Sequence, residues 1–386
     1  MSATPAPRVL IVDDDPFVGE MLKDFLTAAD LDTTWMDVAE AGFAEASKGI
    51  HDVILLDVMM PGMDGLTFLR KIKEVQPTVE VIMLTARQEM SLLDRALKLK
   101  AFDYLVKPTP LQKLVATIRA AMTCRLMKMG SPASPAAIGS VDEGWLVAGP
   151  ESARLHAWAR ACAPYCATAL IMGPRGAGAK HLSRVLHAAS GRPAHKRVLV
   201  NLAELELAQQ EPELMGGLMH WKRTPVAVGA LKRADGGTLV LENIEKLSSS
   251  LQRRLVTLLD TGQLDDPPSM DEDFLDVKIV ALSHADLPSR TSDGLNADLL
   301  RKLSLVSSTI APLAQRQAEI LPLARHFLHE ARPEVTGFAA EAEQVLAAAA
   351  WPGDVSELRS AVESAARKAH GVHVELSDLP ATIAFH

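Results

Sequence analysis

The sequence predicts an α/β protein with two successive parallel sheets, each covered by helices, and an all-helical segment at its C-terminal end. Three observations predict this arrangement. Short apolar runs alternate with segments of helical periodicity between residues 8 and 125, and the same alternation starts again near residue 168. A stretch of small residues, Pro and Ser separates the two regions. The chain has 386 residues and is 48% hydrophobic, which exceeds what one core normally organises.

The first α/β unit shows strands and helices in succession. Its strand candidates are RVLIVDD, DVILLDV, EVIMLTA and AFDYLVKP, and its helix candidates include PFVGEMLKDFLTAA and a last helix LQKLVATIRAAM. Between Met129 and Val141 the run GSPASPAAIGS has no periodicity, which is typical of a flexible linker. We therefore predict a first domain at residues 7–126 and a linker at residues 127–143.

The second α/β unit begins with the strand candidate ATALIMG. A Gly-rich turn and a helix follow, and further strand candidates are RVLVNL, GGTLVLENI and VKIVALSH. After Pro312 no strand is expected, because the chain continues as three helical segments centred on AEILPLARHFLHEA, AAEAEQVLAAAA and VSELRSAVESAARKAH. We predict an α/β subdomain over residues 144–311 and a helical subdomain over residues 312–386.

Charge and composition exclude several classes of protein. A net charge of −8 argues against a protein whose main surface binds nucleic acid, since that surface needs clustered Lys and Arg. The three cysteines make no even disulfide framework, and MSATPAPRVLIVDDD carries charge where a signal peptide needs an apolar run. No stretch approaches the roughly 18 to 20 apolar residues of a membrane-spanning helix. We expect a cytoplasmic protein that does not contact a membrane.

Acidic residues close two strand candidates of the first unit. Because the carboxyl ends of parallel strands meet at one edge of a sheet, Asp13 and Asp14 should face Asp57. Carboxylates at close range repel one another, and hard oxygen ligands of this kind suit Mg²⁺. One carboxylate would then act as the nucleophile for a transferred phosphoryl group. The pattern predicts a magnesium site that accepts a phosphoryl group.

Three further residues complete this pattern. Lys107, at the end of AFDYLVK, would supply an ammonium that neutralises phosphoryl charge. Thr85 closes EVIMLT with a hydroxyl that can reach a phosphate oxygen, and Tyr104 could change rotamer as that hydroxyl moves. A single acid at a strand end is often only a solvated turn residue. Several such residues in this order predict a functional site.

The pattern VDDD, LLDVMMPGMDG, MLTA and YLVKP resembles the receiver domain of two-component response regulators, over about residues 7 to 126. The resemblance implies a flavodoxin-like (βα)5 fold and signal transduction by phosphorelay. It implies Asp57 as the phosphoacceptor and Asp13, Asp14 and the Met59 carbonyl as further ligands of Mg²⁺.

The same resemblance assigns roles to the remaining residues of the receiver pattern. Thr85 and Tyr104 would be the switch pair, and Lys107 would contact the phosphoryl group. The family usually has a cis peptide before the residue that corresponds to Pro108.

The second unit carries a Gly-rich turn between a strand and a helix. In ALIMGPRGAGAKHLSRVLH, Gly173, Gly176 and Gly178 form the arrangement that lets backbone N–H groups cradle phosphates. With GGTLVLENI, VKIVALSH and WPGDVSELRSAV, the run from Leu146 to Pro380 resembles the AAA+ ATPase domain of NtrC-like activators of the sigma-54 RNA polymerase. The resemblance implies a nucleotide-binding α/β core with a helical lid.

The residues needed for ATP chemistry depart from the family pattern. The family's loop is GxxGxGK, but Ala179 occupies the place of the lysine, and Lys180 falls one residue, or about 100° of helix rotation, later. Lys180 is expected to point away from the phosphates. Glu242 is followed by Asn243 where the family has a second acid, and an asparagine cannot act as a base toward water. We expect neither ATP hydrolysis nor bound ATP at this degenerate site.

Contacts beyond the nucleotide also differ from the family pattern. Asn296 and Lys302 stand where the family has arginines that reach a neighbouring subunit's nucleotide, and Ser356 replaces a nucleotide-sensing arginine. Between Glu213 and Arg233 the family carries the sigma-contacting GAFTGA loop, while this chain has GGLMHWKRTPVAVGALKR. After SDLP the chain ends at ATIAFH, so a C-terminal helix-turn-helix and direct DNA binding are not expected.

These features favour a response regulator in transcription regulation whose AAA+ domain is a pseudo-ATPase. It would receive a phosphoryl group from a histidine kinase or phosphotransfer protein and act through protein–protein interaction. We expect a homodimer or higher oligomer that binds another response regulator or AAA+ protein. Two alternatives remain: an atypical sigma-54-dependent activator ATPase that works without its own DNA-binding domain, and a phosphate sink for a histidine kinase.

Overall fold

The computed structural model describes residues 8–85, 95–96, 99–109, 111–128, 137–164, 166–216, 228–262, 275–284, 287 and 295–384. The chain divides into two compact units. The first consists mainly of residues 1–132, and the second mainly of residues 133–164, 168–256 and 274–386. Among the described residues, no helix combines the length and the apolar composition that a membrane span requires.

The first unit contains a five-stranded parallel sheet. Strands β1–β5 span Arg8–Val12, Asp32–Met36, Val53–Asp57, Glu80–Thr85 and Asp103–Val106. Helices α1–α4 span Pro16–Ala28, Ala39–Ala46, Gly65–Val75 and Leu111–Lys128. The strand order is β2-β1-β3-β4-β5, and every pairing is parallel. This is the order of the flavodoxin-like fold, so the predicted fold of the first unit is confirmed.

Both faces of this sheet are buried, which is why its central strands are apolar throughout. Leu10 and Leu56 pack with Phe68 on one face, and Ile11 and Leu55 belong to the cluster on the other face. Central strands of a parallel sheet covered on two sides lose the polar–apolar alternation of half-exposed strands. The rigid sheet fixes the positions of the residues that follow its strands.

The second unit contains another five-stranded parallel sheet, preceded by a short hairpin. The hairpin strands β6 and β7 span Val141–Asp142 and Trp145–Leu146. Strands β8–β12 span Thr168–Met172, Arg197–Asn201, Thr238–Glu242, Lys278–Ser283 and Ser307–Thr309. Helices α5–α10 span Pro150–Cys162, Ala179–Ala189, Leu207–Met215, Ala230–Arg233, Ser249–Thr261 and Ala297–Ser304. The strand order is β12-β8-β11-β10-β9, with all pairings parallel.

The C-terminal part of the second unit is mainly helical. Helices α11–α14 span Ile320–Ala331, Ala340–Ala348, Asp354–Lys368 and Ala381–Ala384, and strands β13 and β14 span Gly337–Phe338 and His373–Val374. The expectation that strands cease after Pro312 is therefore wrong, because β13 and β14 pair in parallel. The Ala339 amide extends this pairing by donating to the Val374 carbonyl at 2.9 Å. Two residues per strand are too few for a periodicity to show in the sequence.

The predicted linker at residues 127–143 overlaps two ordered elements. Helix α4 continues to Lys128, and β6 begins at Val141. Residues 129–136, which carry most of the Pro- and Ser-rich run, lie outside the described residues. The domain boundaries drawn from the sequence stay a prediction.

Candidate functional site

Three carboxylates meet at one edge of the first sheet. Asp13 and Asp14 follow β1 directly, and Asp57 is the last residue of β3. Because β1 and β3 are neighbouring parallel strands, their carboxyl ends lie side by side. Carboxylate oxygens of the three residues lie within 4.8 Å of one another. Asp13 and Asp57 are buried and Asp14 is the most exposed of the three, so the structure brings together the three acids predicted from the sequence.

Lys107 adds a positive charge to this cluster. Its ammonium donates to Asp13 Oδ2 at 2.6 Å and to Asp57 Oδ2 at 2.7 Å. The other oxygen of Asp57 accepts a hydrogen bond from the Met59 amide at 3.2 Å, and Asp13 Oδ1 accepts one from the Asp15 amide at 3.1 Å. The two buried carboxylates therefore share one ammonium.

The pKa values at the cluster reflect its burial and its excess of negative charge. Burial raises the pKa of Asp13 above its ordinary value, and it outweighs the hydrogen bond and the charge of Lys107. Burial also acts on Lys107, where it lowers the pKa, but the hydrogen bonds and charges of Asp13 and Asp57 outweigh it and raise that pKa overall. Lys107 is thus held in its charged form, and it compensates only part of the negative charge around it.

The cluster fits a magnesium ion. Mg²⁺ prefers hard oxygen ligands, and the three carboxylates supply them at one point. Three carboxylates face the single ammonium of Lys107, so Lys107 alone does not balance the site. Asp13, Asp14 and Asp57 are therefore the residues that could hold the ion. The Met59 carbonyl, predicted as a further ligand, belongs to the residue whose amide already donates to Asp57.

Thr85 and Tyr104 lie on the two successive strands beyond β3, which are β4 and β5. Thr85 is the last residue of β4 and is buried, and its carbonyl accepts a hydrogen bond from the Lys107 amide at 2.7 Å. Tyr104 lies on β5, is half-buried, and packs against the core cluster that contains Phe68. The peptide bond between Lys107 and Pro108 is cis, which confirms the sequence expectation. Residues 86–94, which follow Thr85, lie outside the described residues.

The second candidate site is a cavity of about 500 Å³ at the Gly-rich turn after β8. Gly176 and Gly178 have φ values of +85° and +105°, a left-handed backbone that glycine adopts without strain. A Cβ at Gly176 would lie 2.4 Å from the Gly353 carbonyl oxygen, so only glycine fits there. Gly173 begins the turn, and its amide donates to the Ser283 carbonyl at 3.1 Å. The turn leads directly into α6, which starts at Ala179.

Lys180 does not point away from this cavity, and the prediction from helix rotation is wrong. Its side chain lines the cavity, and its ammonium lies 2.9 Å from Glu242 Oε2. The contact is an ion pair and not a well-directed hydrogen bond. Glu242 is the last residue of β10, with a side chain only 8% exposed. The long, flexible stem of a lysine lets the ammonium reach this buried carboxylate despite the rotation of its Cα.

Asn243 extends the cavity wall beside Glu242. It has a φ of +57° and a side chain that is almost fully buried. Its amide nitrogen donates to Asn201 Oδ1 at 2.6 Å, whereas its own Oδ1 has no hydrogen-bond partner among the described residues. The two asparagines thus form a neutral pair at the ends of the neighbouring strands β10 and β9. Neither can accept a proton from water at neutral pH.

A buried arginine joins the helical region to the Gly-rich turn. Arg316 donates through Nη2 to the Ala177 carbonyl at 3.2 Å and to Asp354 Oδ1 at 3.1 Å, and through Nη1 to Glu319 Oε2 at 3.3 Å. Glu319 in turn accepts hydrogen bonds from the amide and the hydroxyl of Ser152, at 2.7 Å and 2.8 Å. Because these groups are buried and paired, they hold the turn and the start of α13 in one arrangement.

Ser356 and Arg359 lie one helical turn apart on α13, and both line the cavity. The Ser356 hydroxyl lies 3.4 Å from the Gly176 carbonyl. The guanidinium of Arg359 lies 5.2 Å from the centre of the Phe327 ring and 3.2 Å from Glu330 Oε2. Sequence reasoning missed Arg359, although the spacing of three residues from Ser356 places it on the same helix face.

Asn296 directly precedes α10 and Lys302 lies on it, and neither residue lines the cavity. The Asn296 carboxamide oxygen caps this helix by accepting from the Asp298 amide at 2.8 Å, and its own amide donates to Gln252 Oε1 at 2.6 Å. The Lys302 carbonyl accepts from the Thr168 hydroxyl at 2.7 Å. Asn296 therefore has a structural role within its own unit, and the role of either position toward a second subunit stays a prediction.

Three family models match successive stretches of the chain. A response regulator receiver domain matches residues 9–119, a sigma-54 interaction domain matches residues 147–309, and an AAA+ ATPase lid domain matches residues 314–386. The transcriptional regulatory protein ZraR of Klebsiella oxytoca is 33% identical over 389 residues, which cover 97% of this chain and 86% of ZraR. This chain belongs to the NtrC- and ZraR-like response regulators.

Other members of the NtrC- and ZraR-like family show similar agreement. The DNA-binding transcriptional regulator NtrC of Klebsiella pneumoniae is 31% identical over 381 residues, which cover 97% of this chain and 81% of NtrC. The structure of NtrX from Brucella abortus in complex with ATP is 26% identical, with a TM-score of 0.54, over 98% of this chain and 85% of NtrX. These similarities confirm the predicted fold, a receiver domain followed by an AAA+ sigma-54 activator domain.

An NtrC- and ZraR-like regulator is expected to have a sigma-contacting loop and a nucleotide site. The segment that replaces the sigma-contacting loop falls largely on residues 217–227, outside the described residues. The expectation that ATP does not bind is not supported, because the Gly-rich turn keeps its left-handed glycines and borders a cavity of about 500 Å³. The prediction that ATP does not bind was based on the altered charged residues alone. The sequence does not reveal that the cavity itself is retained.

Proposed function

We propose that this NtrC- and ZraR-like regulator is switched by phosphorylation of Asp57 and acts by binding other proteins or by changing its oligomeric state. We further propose that it neither hydrolyses ATP nor contacts DNA directly. One contrast carries the proposal. The receiver carboxylates are arranged around a shared Lys107, whereas the nucleotide cavity has Ala179 in the place of its lysine and a Lys180–Glu242 ion pair in its wall.

The input step is a phosphoryl transfer from a histidine kinase or a phosphotransfer protein. An oxygen of Asp57 attacks the phosphorus of a phosphohistidine, the phosphorus–nitrogen bond breaks, and the histidine leaves with the electron pair. Lys107, with its ammonium 2.7 Å from Asp57 Oδ2, balances charge on the new acyl phosphate. Mg²⁺, when bound by the three carboxylates, supplies further positive charge at the phosphoryl oxygens.

The response to phosphorylation passes through residues next to Asp57. Thr85 is buried at the end of the neighbouring strand, so its hydroxyl is placed to follow a phosphoryl oxygen. Tyr104, half-buried one strand further, packs against a core cluster and can exchange rotamers as that hydroxyl moves. Such an exchange changes the outer face of the receiver, which is where a second receiver or another regulator would bind.

Loss of hydrolysis follows from the wall of the cavity. Attack on a γ-phosphate needs a group that orients or deprotonates water, and Asn243 is instead paired with Asn201 at 2.6 Å. The two acids near this point are also engaged, because Glu242 is paired with Lys180 and Glu204 accepts a hydrogen bond from the Asn201 amide at 2.6 Å. Because no acid is placed to activate water, the AAA+ domain does not hydrolyse ATP and acts by binding other proteins.

The test of this proposal measures association and turnover together. Light scattering would follow the oligomeric state of the full chain with and without beryllofluoride, which mimics a phosphoryl group, and a phosphate-release assay would follow ATP turnover. We expect beryllofluoride to change the mass of the wild type and not of Asp57→Asn, with no turnover in either. An unchanged mass and the absence of any phosphorylation-dependent partner would contradict the switch.

A second candidate is a sigma-54-dependent activator ATPase. It is favoured by the match to the sigma-54 interaction domain, by the cavity at the Gly-rich turn, and by the NtrX structure in complex with ATP. The two candidates differ in turnover. Magnesium-dependent phosphate release that rises with beryllofluoride would establish the ATPase and exclude the binding-only proposal.

A further inference from the structure

A lysine occupies the part of the nucleotide cavity where a metal ion would need acidic ligands. The buried carboxylate of Glu242 lies 2.9 Å from the Lys180 ammonium and 3.7 Å from His284 Nε2. The next residue is the neutral Asn243. The negative charge of Glu242 at the end of β10 is therefore balanced by the ammonium of Lys180, a side chain of the same protein.

A divalent cation does not fit this point. Mg²⁺ at a nucleotide is held by one or two carboxylates besides phosphates and waters. The three carboxylates that line the cavity all have partners: Glu242 lies beside Lys180, Glu319 pairs with Arg316, and Glu204 accepts a hydrogen bond from the Asn201 amide. Among the described residues, the only group of three His, Cys, Asp or Glu side chains that could converge on a metal is that of the receiver. A cation at Glu242 would also have to displace the Lys180 ammonium from this carboxylate.

The features that bind an anion persist beside this ion pair. The backbone amides of Gly176, Gly178, Ala179 and Lys180 have no acceptor among the described residues, and they stand at the N-terminus of the 11-residue helix α6. The Lys180 side chain is 49% exposed, so its ammonium is accessible from the cavity. The buried Oδ1 of Asn243 also lacks a partner among the described residues and lines the same cavity, where this acceptor suits a donor group of a ligand and not its phosphates.

The cavity also has an apolar part of its lining. Leu146, Leu323, Phe327 and Val355 contribute apolar side chains to it. A site that combines apolar side chains with a cradle of backbone amides suits a nucleotide, with its base and its phosphates. The volume of about 500 Å³ is within the range of small-molecule sites.

We propose that this cavity binds a nucleoside di- or triphosphate without a divalent cation, and that the Lys180 ammonium, held by Glu242, takes the electrostatic place of the metal. The ammonium bridges the carboxylate and a phosphate oxygen, so the phosphate is neutralised although no ion enters. The inference rests on the proposed function, in which the cavity does not hydrolyse ATP. Nucleotide binding then stabilises the AAA+ domain as a binding surface.

The test titrates the full chain with fluorescent N-methylanthraniloyl-ADP, once in excess Mg²⁺ and once in excess EDTA, with unlabelled ADP and ATP as competitors. We expect the two dissociation constants of the wild type to agree within about threefold. Lys180→Met should weaken binding in EDTA by at least about tenfold, because a charge-assisted contact to phosphate is lost. Lys180→Arg keeps the charge and should retain binding.

The control variant is Lys368→Met, because Lys368 is exposed on the last turn of α13 and does not line the cavity. It should bind as the wild type does, and circular dichroism would confirm that every variant is folded. Binding that disappears in EDTA, an unaffected Lys180→Met variant, or no binding of either nucleotide would each overturn this inference. Phosphate release is measured in the same samples: magnesium-dependent turnover would overturn the proposed function as well, whereas absence of binding leaves the Asp57 switch standing.

Discussion

Arg316 and Asp354 form a buried ion pair, with 3.1 Å between Nη2 and Oδ1, and the same nitrogen donates to the Ala177 carbonyl of the Gly-rich turn. The other oxygen of Asp354 accepts a hydrogen bond from the Leu313 amide at 3.0 Å. A single guanidinium therefore connects three segments that are far apart in the chain. The position of the turn depends on this arginine, and its removal tests that dependence.

Replacing Arg316 with Met should strongly destabilise the second unit. The change leaves the carboxylates of Asp354 and Glu319 buried without their cation, which typically costs about 3–5 kcal/mol. Urea unfolding measures the loss. The matched control is Arg325→Met, because Arg325 pairs with Glu343 at the surface, with a side chain 56% exposed, and exposed pairs contribute about 1 kcal/mol or less. Equal losses for the two variants would contradict the role of burial.

Replacing Asp13 with Asn should stabilise the receiver at neutral pH in the absence of metal, by about 1 kcal/mol. The pKa of Asp13 in the folded protein is raised, so its contribution to stability is present at acid pH and is lost as the pH rises through the folded value. Urea unfolding in EDTA should show the difference at pH 7 and none below about pH 3. Added Mg²⁺ should stabilise the wild type and not the variant. A variant less stable than the wild type at pH 7 would disprove this account of the charge.

Replacing Lys107 with Met should slow phosphorylation of Asp57 by acetyl phosphate by about a hundredfold, the usual scale for one electrostatic group at a reacting centre. The pKa of Lys107 is raised above its ordinary value, so its charge and its contribution to stability persist until the pH rises through that folded value. The wild-type rate should therefore show no step from this lysine between about pH 6 and pH 9. Lys48→Met, at a lysine 60% exposed that pairs with Glu45, should react as the wild type does.

Replacing Gly176 with Ala should cost more stability than the same change at Gly191. Both glycines have a positive φ, so both variants lose about 1 kcal/mol through backbone strain. The Cβ at Gly176 would in addition lie 2.4 Å from the Gly353 carbonyl, whereas nothing lies within 4 Å of one at Gly191. Thermal unfolding of the pair isolates the steric contribution. Similar melting temperatures would show that the turn and the Gly353 segment separate readily.

The central strands of the two large sheets were predictable from the sequence, as were the edge strands β5 and β9, whereas the edge strands β2 and β12 were not. Val53–Asp57 and Glu80–Thr85 are buried at every residue and stand out as apolar runs. Strand β2 has no fully buried residue, and its sequence DTTWM shows no such run. Strand β12 has only three residues, with one of them buried. Where an edge strand buries as few side chains as β2 and β12 do, hydrophobicity carries little information about it.

The receiver site was predictable because its acids, Thr85 and Lys107 each end or follow a strand, and the sheet order fixes where strand ends meet. The nucleotide cavity was less predictable, because its side chains come from helix faces and reach across space. Lys180 shows the difference. Helix rotation alone did not predict its position, because a four-carbon stem and the attraction of Glu242 decide where the ammonium lies.

Trp35 and Trp145 give each site an optical reporter of its own. The indole nitrogen of Trp35 donates to the Asp13 carbonyl at 3.1 Å. The ring of Trp145 lies beside Gly178, so close that a Cβ added to this glycine would be 3.1 Å from the ring. Indole emission responds to the charge and polarity around the ring. Of the five tryptophans, one therefore senses events at the phosphoacceptor and another senses events at the Gly-rich turn. In variants that retain only one of these two tryptophans, the rate of the change in intrinsic fluorescence can be measured for each site separately, without an attached dye.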